Sequence, residues 1–406
     1  MIFNVFKNTV LFFVLAMIPH GNFSKNETEK VAFANQNPLP IVGANQTEAY
    51  LPFLKNKRVG VVANQTSVIF KSQNNYTHLV DSLLALKVNI KTVFAPEHGF
   101  RGIADAGEHV NDSVDSKTGI PILSLHGDNR KPKPEQLEKI DIMIFDIQDV
   151  GVRFYTYISS LHYVMEACAE AKIPLLILDR PNPNGQYVDG PTLEIENKSF
   201  LGMHPIPLVH GMTIAEYAQM INGEKWLKDG VTCDLKIIPV KNYTHETEYS
   251  LPIKPSPNLP NDQAINLYPS MGLFEGTNIN AGRGTDFQFQ RYGAPFLNKN
   301  VFSFSYIPKE NIGAKNPKHK GEVCYGEDLS KVLHIKYVSV KWVIKAYENA
   351  TDKSLVFNRK NFAKHAGTSK LQDQIEAGMS ETDIRATWKE GIESFKKTRA
   401  NYLIYN

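Results

Sequence analysis

The residues best suited to chemistry in this chain lie in Ala95-Pro96-Glu97-His98-Gly99-Phe100-Arg101-Gly102. Glu97 and His98 place a carboxylate beside an imidazole, a pairing suited to proton transfer. Pro96 and Gly99 hold the backbone in a tight loop around them. The residues before the loop, Asn89 to Phe94, read as a short buried strand. In an open α/β sheet, ligands gather beyond the carboxyl ends of the strands. Position as well as residue type therefore marks Glu97. The structural alternative is a polar turn in which Glu97 pairs with Arg101.

Four further apolar runs end in the same way. Arg58–Ala63 runs into Asn64-Gln65-Thr66, and Pro121–Leu125 into His126 and Gly127. Asp141–Phe145 ends in Asp146, Gln148 and Asp149, and Leu175–Leu178 in Asp179, Arg180, Asn182 and Asn184. Helical spacing of apolar residues returns the chain between runs, over Thr77–Leu86 and Tyr157–Ala171. Continuous apolar strands alternating with helices imply a parallel sheet with helices on both faces. Strand ends in such a sheet share one edge. A single polar crevice built from Asn64, Glu97, His126, Asp146, Gln148, Asp149, Asp179 and Asn182 is expected there. Each of these residues alone also fits a helix cap or turn.

Downstream, Thr213 with Glu216 three residues later is a capping box opening a helix. Leu235–Pro239 reads as the last strand of this half. Leu251 to Pro260 then carries four prolines and marks a domain boundary near residue 254. The first domain is expected over 47–254, and a smaller α+β domain closing a cleft over 255–406. In the latter, Leu273 to Asp286 sets Glu275, Asn278, Arg283 and Asp286 among glycines that permit close backbone approach. Leu333–Val340 reads as a strand. Leu371–Ala377 and Glu381–Thr398 read as helices.

At 406 residues with 42% hydrophobic composition, the chain has room for two or three domains and a large core. A net charge of +3 argues against nucleic acid as the partner. Cys168, Cys233 and Cys324 form no CxxC pair, and Cys168 sits on an apolar helical face. One disulfide among the three is left open. Residues 1–23, with Lys7 before the apolar run Val10–Ile18, read as an export signal too short for a membrane span. No stable membrane insertion is expected once it is removed. Residues 24–46 read as a linker. No GxGxxG or GxxxxGK[ST] follows the first strand and no GxSxG is present, so no cofactor and no elbow serine are expected. A metal-dependent hydrolase using Glu97, His98, His126 and Asp146 is open, although no HExxH spacing occurs.

The loop around Glu97, the run Phe145-Asp146-Ile147-Gln148-Asp149-Val150-Gly151-Val152-Arg153-Phe154-Tyr155-Thr156-Tyr157, the run Leu178-Asp179-Arg180-Pro181-Asn182-Pro183, and Phe274-Glu275-Gly276-Thr277-Asn278 to Gly282-Arg283-Gly284-Thr285 together resemble the NamZ-type exo-β-N-acetylmuramidases. The resemblance runs from about Val59 to the C-terminus. It implies a Rossmann-like N-terminal domain without a nucleotide and a smaller domain closing a cleft. It also implies release of terminal N-acetylmuramic acid from the non-reducing ends of peptidoglycan fragments, with muropeptides or disaccharides as partners. Such chemistry usually needs two carboxyl groups. Glu97 is the expected general acid, with a pKa raised at its partly apolar strand mouth. Glu275 is favoured as the second group, with Asp146 behind it, and a substrate-assisted route stays open. Arg101, Arg153 and Arg283 are candidates for the lactyl carboxylate. His98 would orient Glu97 or bind a hydroxyl, and Tyr155 or Tyr157 would stack on the sugar. Asn64, Gln148, Asp179, Asn182 and Asn278 complete the expected substrate contacts. A non-catalytic muropeptide-binding protein is the alternative from another class.

Overall fold

The computed structural model describes residues 38–72, 75–97, 99–101 and 112–406. The expected export signal, most of the expected linker and His98 lie outside these residues. Among the described residues before 254, the strands are β1 (Arg58–Ala63), β2 (Val68–Ser72), β3 (Asn75–His78), β4 (Asn89–Ala95), β5 (Ser113–Val114), β6 (Pro121–Ser124), β7 (Ile142–Asp146), β8 (Leu175–Leu178) and β9 (Leu235–Ile238). Seven of them form one sheet in the order β5-β6-β4-β1-β7-β8-β9, parallel except for the edge strand β5. β2 and β3 make a separate antiparallel pair.

Why the central strands are apolar throughout is visible in their alternation. Successive side chains of a strand point to opposite faces. Ile142, Ile144, Leu176 and Leu178 enter a core with Tyr50 and Leu54 of α1 (Thr47–Leu54) and Leu79, Val80 and Leu83 of α2 (Leu79–Ala85). Met143, Phe145, Leu175 and Ile177 face the other way. They meet Leu137 of the short α3 (Pro134–Leu137), then Leu161, Val164 and Cys168 of α4 (Tyr157–Ala171), then Tyr217 and Ile221 of α5 (Ile214–Gly223). Each strand therefore contributes to two cores.

The second core does not stop near residue 254. It continues through Leu267 of α6 (Asp262–Met271), Trp342 of α7 (Lys341–Glu348) and Phe362 of α8 (Arg359–Ala366) to Phe395. The C-terminal part also holds an antiparallel sheet, β10 (Arg291–Ala294), β12 (Cys324–Asp328) and β11 (Phe304–Tyr306), in that spatial order. The expected capping box forms, with Thr213 and Glu216 satisfying each other's backbone amides. All three cysteines are buried free thiols.

Three local expectations are corrected. Residues 333–340 form no strand. Their amides are taken by side chains instead: Ile335 donates to Asn266, Val338 to Asp189, Ser339 to Ser270 and Val340 to Glu381. Residues 381–398 form two helices, Glu381–Ala386 and Lys389–Arg399. The end of the expected linker is packed rather than loose. Val42 and Ala44 are buried, Ile41 bridges to Lys241, and the Gly43 amide donates to the Asp179 carbonyl. At the same sheet edge the Tyr405 hydroxyl donates to Asp179, and the Ile404 amide donates to Glu216.

Candidate active site

The pocket that matters is built where β4 ends and α4 begins, and the C-terminal part supplies its other wall. Its empty space, mouth included, is about 680 Å³. Glu97 lines it from the strand end. Phe154, Tyr155, Thr156 and Tyr157 line it from the turn leading into α4. Tyr268, Glu275, Arg283, Phe289 and His365 line it from beyond residue 254.

Glu97 is held from the α4 side. Thr156 is the residue that precedes α4, yet its side chain makes no cap hydrogen bond. Its hydroxyl donates instead to Glu97 Oε2 at 3.0 Å. The Tyr157 hydroxyl reaches the Glu97 carbonyl at 3.4 Å and accepts from Asn64 Nδ2 at 2.9 Å. Asn64 Oδ1 accepts in turn from the Thr66 amide and hydroxyl. Asn64 thus positions Tyr157 rather than lining the pocket.

Glu275 lies in the 3₁₀ turn Gly272–Gly276 that follows α6. Glycine is needed at both ends of that turn. A Cβ at Gly272 would fall 2.4 Å from the Phe154 ring. One at Gly276 would fall 2.6 Å from Phe362 Cα. Carbonyls of the turn and of the residue after it are gathered by one ammonium: Lys318 donates to Phe274, Glu275 and Thr277 at 2.9, 3.1 and 2.6 Å. Arg283 donates to Glu275 Oε2 at 2.8 Å and to the Gly313 carbonyl at 3.0 Å.

The electrostatics follow from this layout. Burial alone would raise the Glu275 pKa, but the charges of Arg283, Lys318 and His365 outweigh it and hold it below the usual value. Glu275 is therefore an anion at neutral pH. Burial pulls the Lys318 ammonium and the His365 imidazole down, with Glu275 opposing both shifts. His365 directs Nδ1 to the Asn361 carbonyl at 2.8 Å. The Tyr268 hydroxyl is driven up by burial first and then by the charges of Glu275 and Glu97. One phenol between the two halves senses both carboxylates.

Other expected site residues are engaged elsewhere. Asp146 is fully buried and forms a two-point ion pair with Arg180, at 2.6 and 2.9 Å. It does not line the pocket, and its guanidinium partner comes from the neighbouring strand end. Arg101 pairs with Asp115 at 2.9 Å and lies over the Phe100 ring. Arg153 is fully buried and donates to the carbonyls of Pro191, Ile206 and Ala366. Of the three arginines considered for a carboxylate, Arg283 is the one at the pocket. Gln148 donates to the carbonyls of Asp149 and Pro181, and Asp149 accepts from the Gly151 amide. Asp179 accepts from Tyr405 and the Ala215 amide, and burial pushes its pKa up to about 6. Asn182 donates to the Met212 carbonyl, and Asn278 is exposed with its amide on the Leu355 carbonyl. Tyr155 lines the pocket with its hydroxyl fixed to the Pro255 carbonyl at 2.8 Å.

Sequence reasoning missed Thr156, Tyr268, Lys318 and His365. Thr156 stood inside a motif already singled out. The other three carried no local signal, because each acts through chain segments far from its own.

Residues 59–263 match the N-terminal part, and residues 266–405 the C-terminal part, of the family described as exo-beta-N-acetylmuramidase NamZ. The chain belongs to the NamZ family. It is 38% identical to the peptidoglycan beta-N-acetylmuramidase NamZ of Bacillus subtilis (strain 168) over 374 residues, 88% of this chain and 89% of that one. Two crystal structures of DUF1343 family proteins from Bacteroides fragilis share the NamZ-family fold seen here. One has 46% identity and a TM-score of 0.82, covering 91% of this chain and 99% of its own. The other has 28% identity and a TM-score of 0.77, covering 90% and 99%. Among the described residues, no three His, Cys, Asp or Glu side chains are grouped to hold a metal ion.

Proposed function

We propose that this protein hydrolyses the glycosidic bond of terminal N-acetylmuramic acid at the non-reducing ends of peptidoglycan fragments. The observation that carries the reading is the meeting of Glu97 and Glu275 in one aromatic-walled pocket of a NamZ-family chain. Hydrolysis needs a proton for the leaving oxygen and negative charge near the anomeric carbon. Glu97, oriented by the Thr156 hydroxyl, supplies the proton. Glu275, kept ionised by Arg283, supplies the negative charge. Tyr155 and Tyr268 form the apolar walls against which a sugar face packs. Arg283, which lines the pocket, is the cation assigned to the lactyl carboxylate. Lys7 and the apolar run Val10–Ile18 support export to the periplasm or beyond, where such a substrate is found. Among the described residues, no helix is long and apolar enough to cross a membrane.

The test is mass-spectrometric detection of free N-acetylmuramic acid after incubating the purified protein with muramic-acid-terminated disaccharides and muropeptides. Release of that sugar from the non-reducing end is expected. Intact substrate after long incubation, or cleavage at internal bonds, would refute the reading.

A further inference from the structure

The three cysteines stand in unequal surroundings. Cys168 lies near the C-terminal end of α4 and is fully buried, and Cys233, just before β9, is 4% exposed. Their side chains meet, the Cys168 thiol being hydrogen-bonded to Cys233. Cys324 is elsewhere, at the start of β12, where it pairs across the strands with Tyr306.

The backbone sets this meeting from both sides. α4 ends at Lys172, which takes a left-handed turn at φ 56°, and the Ile173 amide donates back to the Cys168 carbonyl at 2.9 Å. The turned chain enters β8, whose first residue, Leu175, stands beside Leu235 of β9. The Leu175 amide donates to the Asp234 carbonyl at 2.8 Å. Cys233, one residue earlier, is fixed to α5 as well: Asn222 accepts from its amide at 2.9 Å and donates to its carbonyl at 2.8 Å. Both thiols sit in one apolar core. The contact with Cys233 and then burial hold the Cys168 thiol protonated, well above its ordinary pKa, which makes it a poor nucleophile in the folded protein. Among the described residues, no grouping of His, Cys, Asp or Glu makes the pair part of a metal site.

We propose that Cys168 and Cys233 are joined by a disulfide in the exported protein, tying the end of α4 to the approach to β9. The proposed export supplies the setting, since disulfides persist outside the reducing cytoplasm. Two S–H bonds are replaced by one S–S bond. Two electrons and two protons pass to an external disulfide, of the glutathione or disulfide-oxidase class, which leaves as two thiols. One cysteine attacks that disulfide as a thiolate, and the other resolves the mixed disulfide. The folded core shuts such a reagent out, so the exchange takes place while the chain folds, before β9 and α5 pack against α4. The opposite end of α4 begins with Tyr157, which lines the Glu97–Glu275 pocket. The bond therefore anchors from behind the helix that presents one pocket wall.

The test uses the full chain made in two bacterial cytoplasms, one reducing and one with its thiol-reducing pathways removed. Thiols are counted in guanidinium with a chromogenic disulfide, and peptides are mapped without reductant. All three thiols are expected from the reducing host and one from the other, with the Cys168 and Cys233 peptides joined and Cys324 free. The oxidised chain should melt higher than the reduced one by roughly 5 °C. Three thiols in both preparations, or a bridge that includes Cys324, would overturn the assignment. A Cys168–Cys233 bridge with unchanged melting would overturn its anchoring role.

Discussion

Two stretches of one sheet edge invite comparison. At the β4 end, Glu97 faces open space, with one carboxylate oxygen on Thr156 and the second carboxylate, Glu275, arriving from the other half of the chain. At the β7 and β8 ends, Asp146 and Asp179 stand at equivalent places and are fully buried. Arg180 closes over Asp146, while Tyr405 and the Ala215 amide close over Asp179. Both stretches are acidic strand ends of a parallel sheet. The difference lies in what returns to cover them. Beyond β8 the chain's own tail packs down and completes the interior. Beyond β4, Glu97 lines a pocket whose other wall comes from beyond residue 254. Carboxylates at such an edge become chemistry or scaffolding according to whether the chain closes over them.

The comparison can be broken most forcefully at Glu97. Glu97→Gln keeps the shape and the Thr156 contact but removes the proton. Muramidase turnover should fall by about 10²–10⁴-fold, the range for general acid catalysis, with an unchanged melting temperature. A near-wild-type rate would remove Glu97 as the acid.

The opposite pattern is expected at β7. Arg180→Met strips the buried Asp146 of its ion-pair partner, which costs about 3–5 kcal/mol. Denaturant titration should show that loss, while kcat per folded molecule stays near wild type. A large drop in kcat with stability intact would return Asp146 to the chemistry.

Asp179 sharpens the contrast through pH. Its folded pKa of about 6 lies above the ordinary 3.8, so the folded state holds the proton more tightly than the unfolded one. Its contribution to stability is greatest below pH 3.8. It declines as pH rises towards 6 and is level above that. Asp179→Asn should therefore gain stability relative to wild type between pH 4 and pH 7, by on the order of 2–3 kcal/mol. Parallel pH profiles for the two proteins would contradict the assigned shift.

The smallest effect is expected at Thr156. Thr156→Val deletes one hydroxyl donor to Glu97, so kcat should fall about tenfold for a loss of ~1.4 kcal/mol. The pH–rate profile should move as well, because the hydroxyl favours the carboxylate form. Thr156→Ser should restore both. A fall in rate with an unmoved profile, or no rescue by Ser, would make Thr156 a packing residue.

The sheet was legible because burial on both faces leaves a plain trace: runs such as Ile142–Phe145 and Leu175–Leu178 have no polar interruption. Glu97 and Glu275 were legible as dense polar motifs. Which strand-end polar groups stay open was not, since Asp146 and Arg153 are engaged by partners that no local pattern names. Arg153 binds carbonyls 38, 53 and 213 residues away. The strand expected at 333–340 failed for a related reason: Asn266, Asp189, Ser270 and Glu381 take the amides that a ladder would have used. His365 and Lys318 reach the site by folding alone.

The unbroken interior running from Val62 to Phe395 has a mechanical consequence. Glu97 and Glu275 stand on walls that share one packed interior, so on the proposed reading their spacing is settled when the chain folds rather than when the sugar enters.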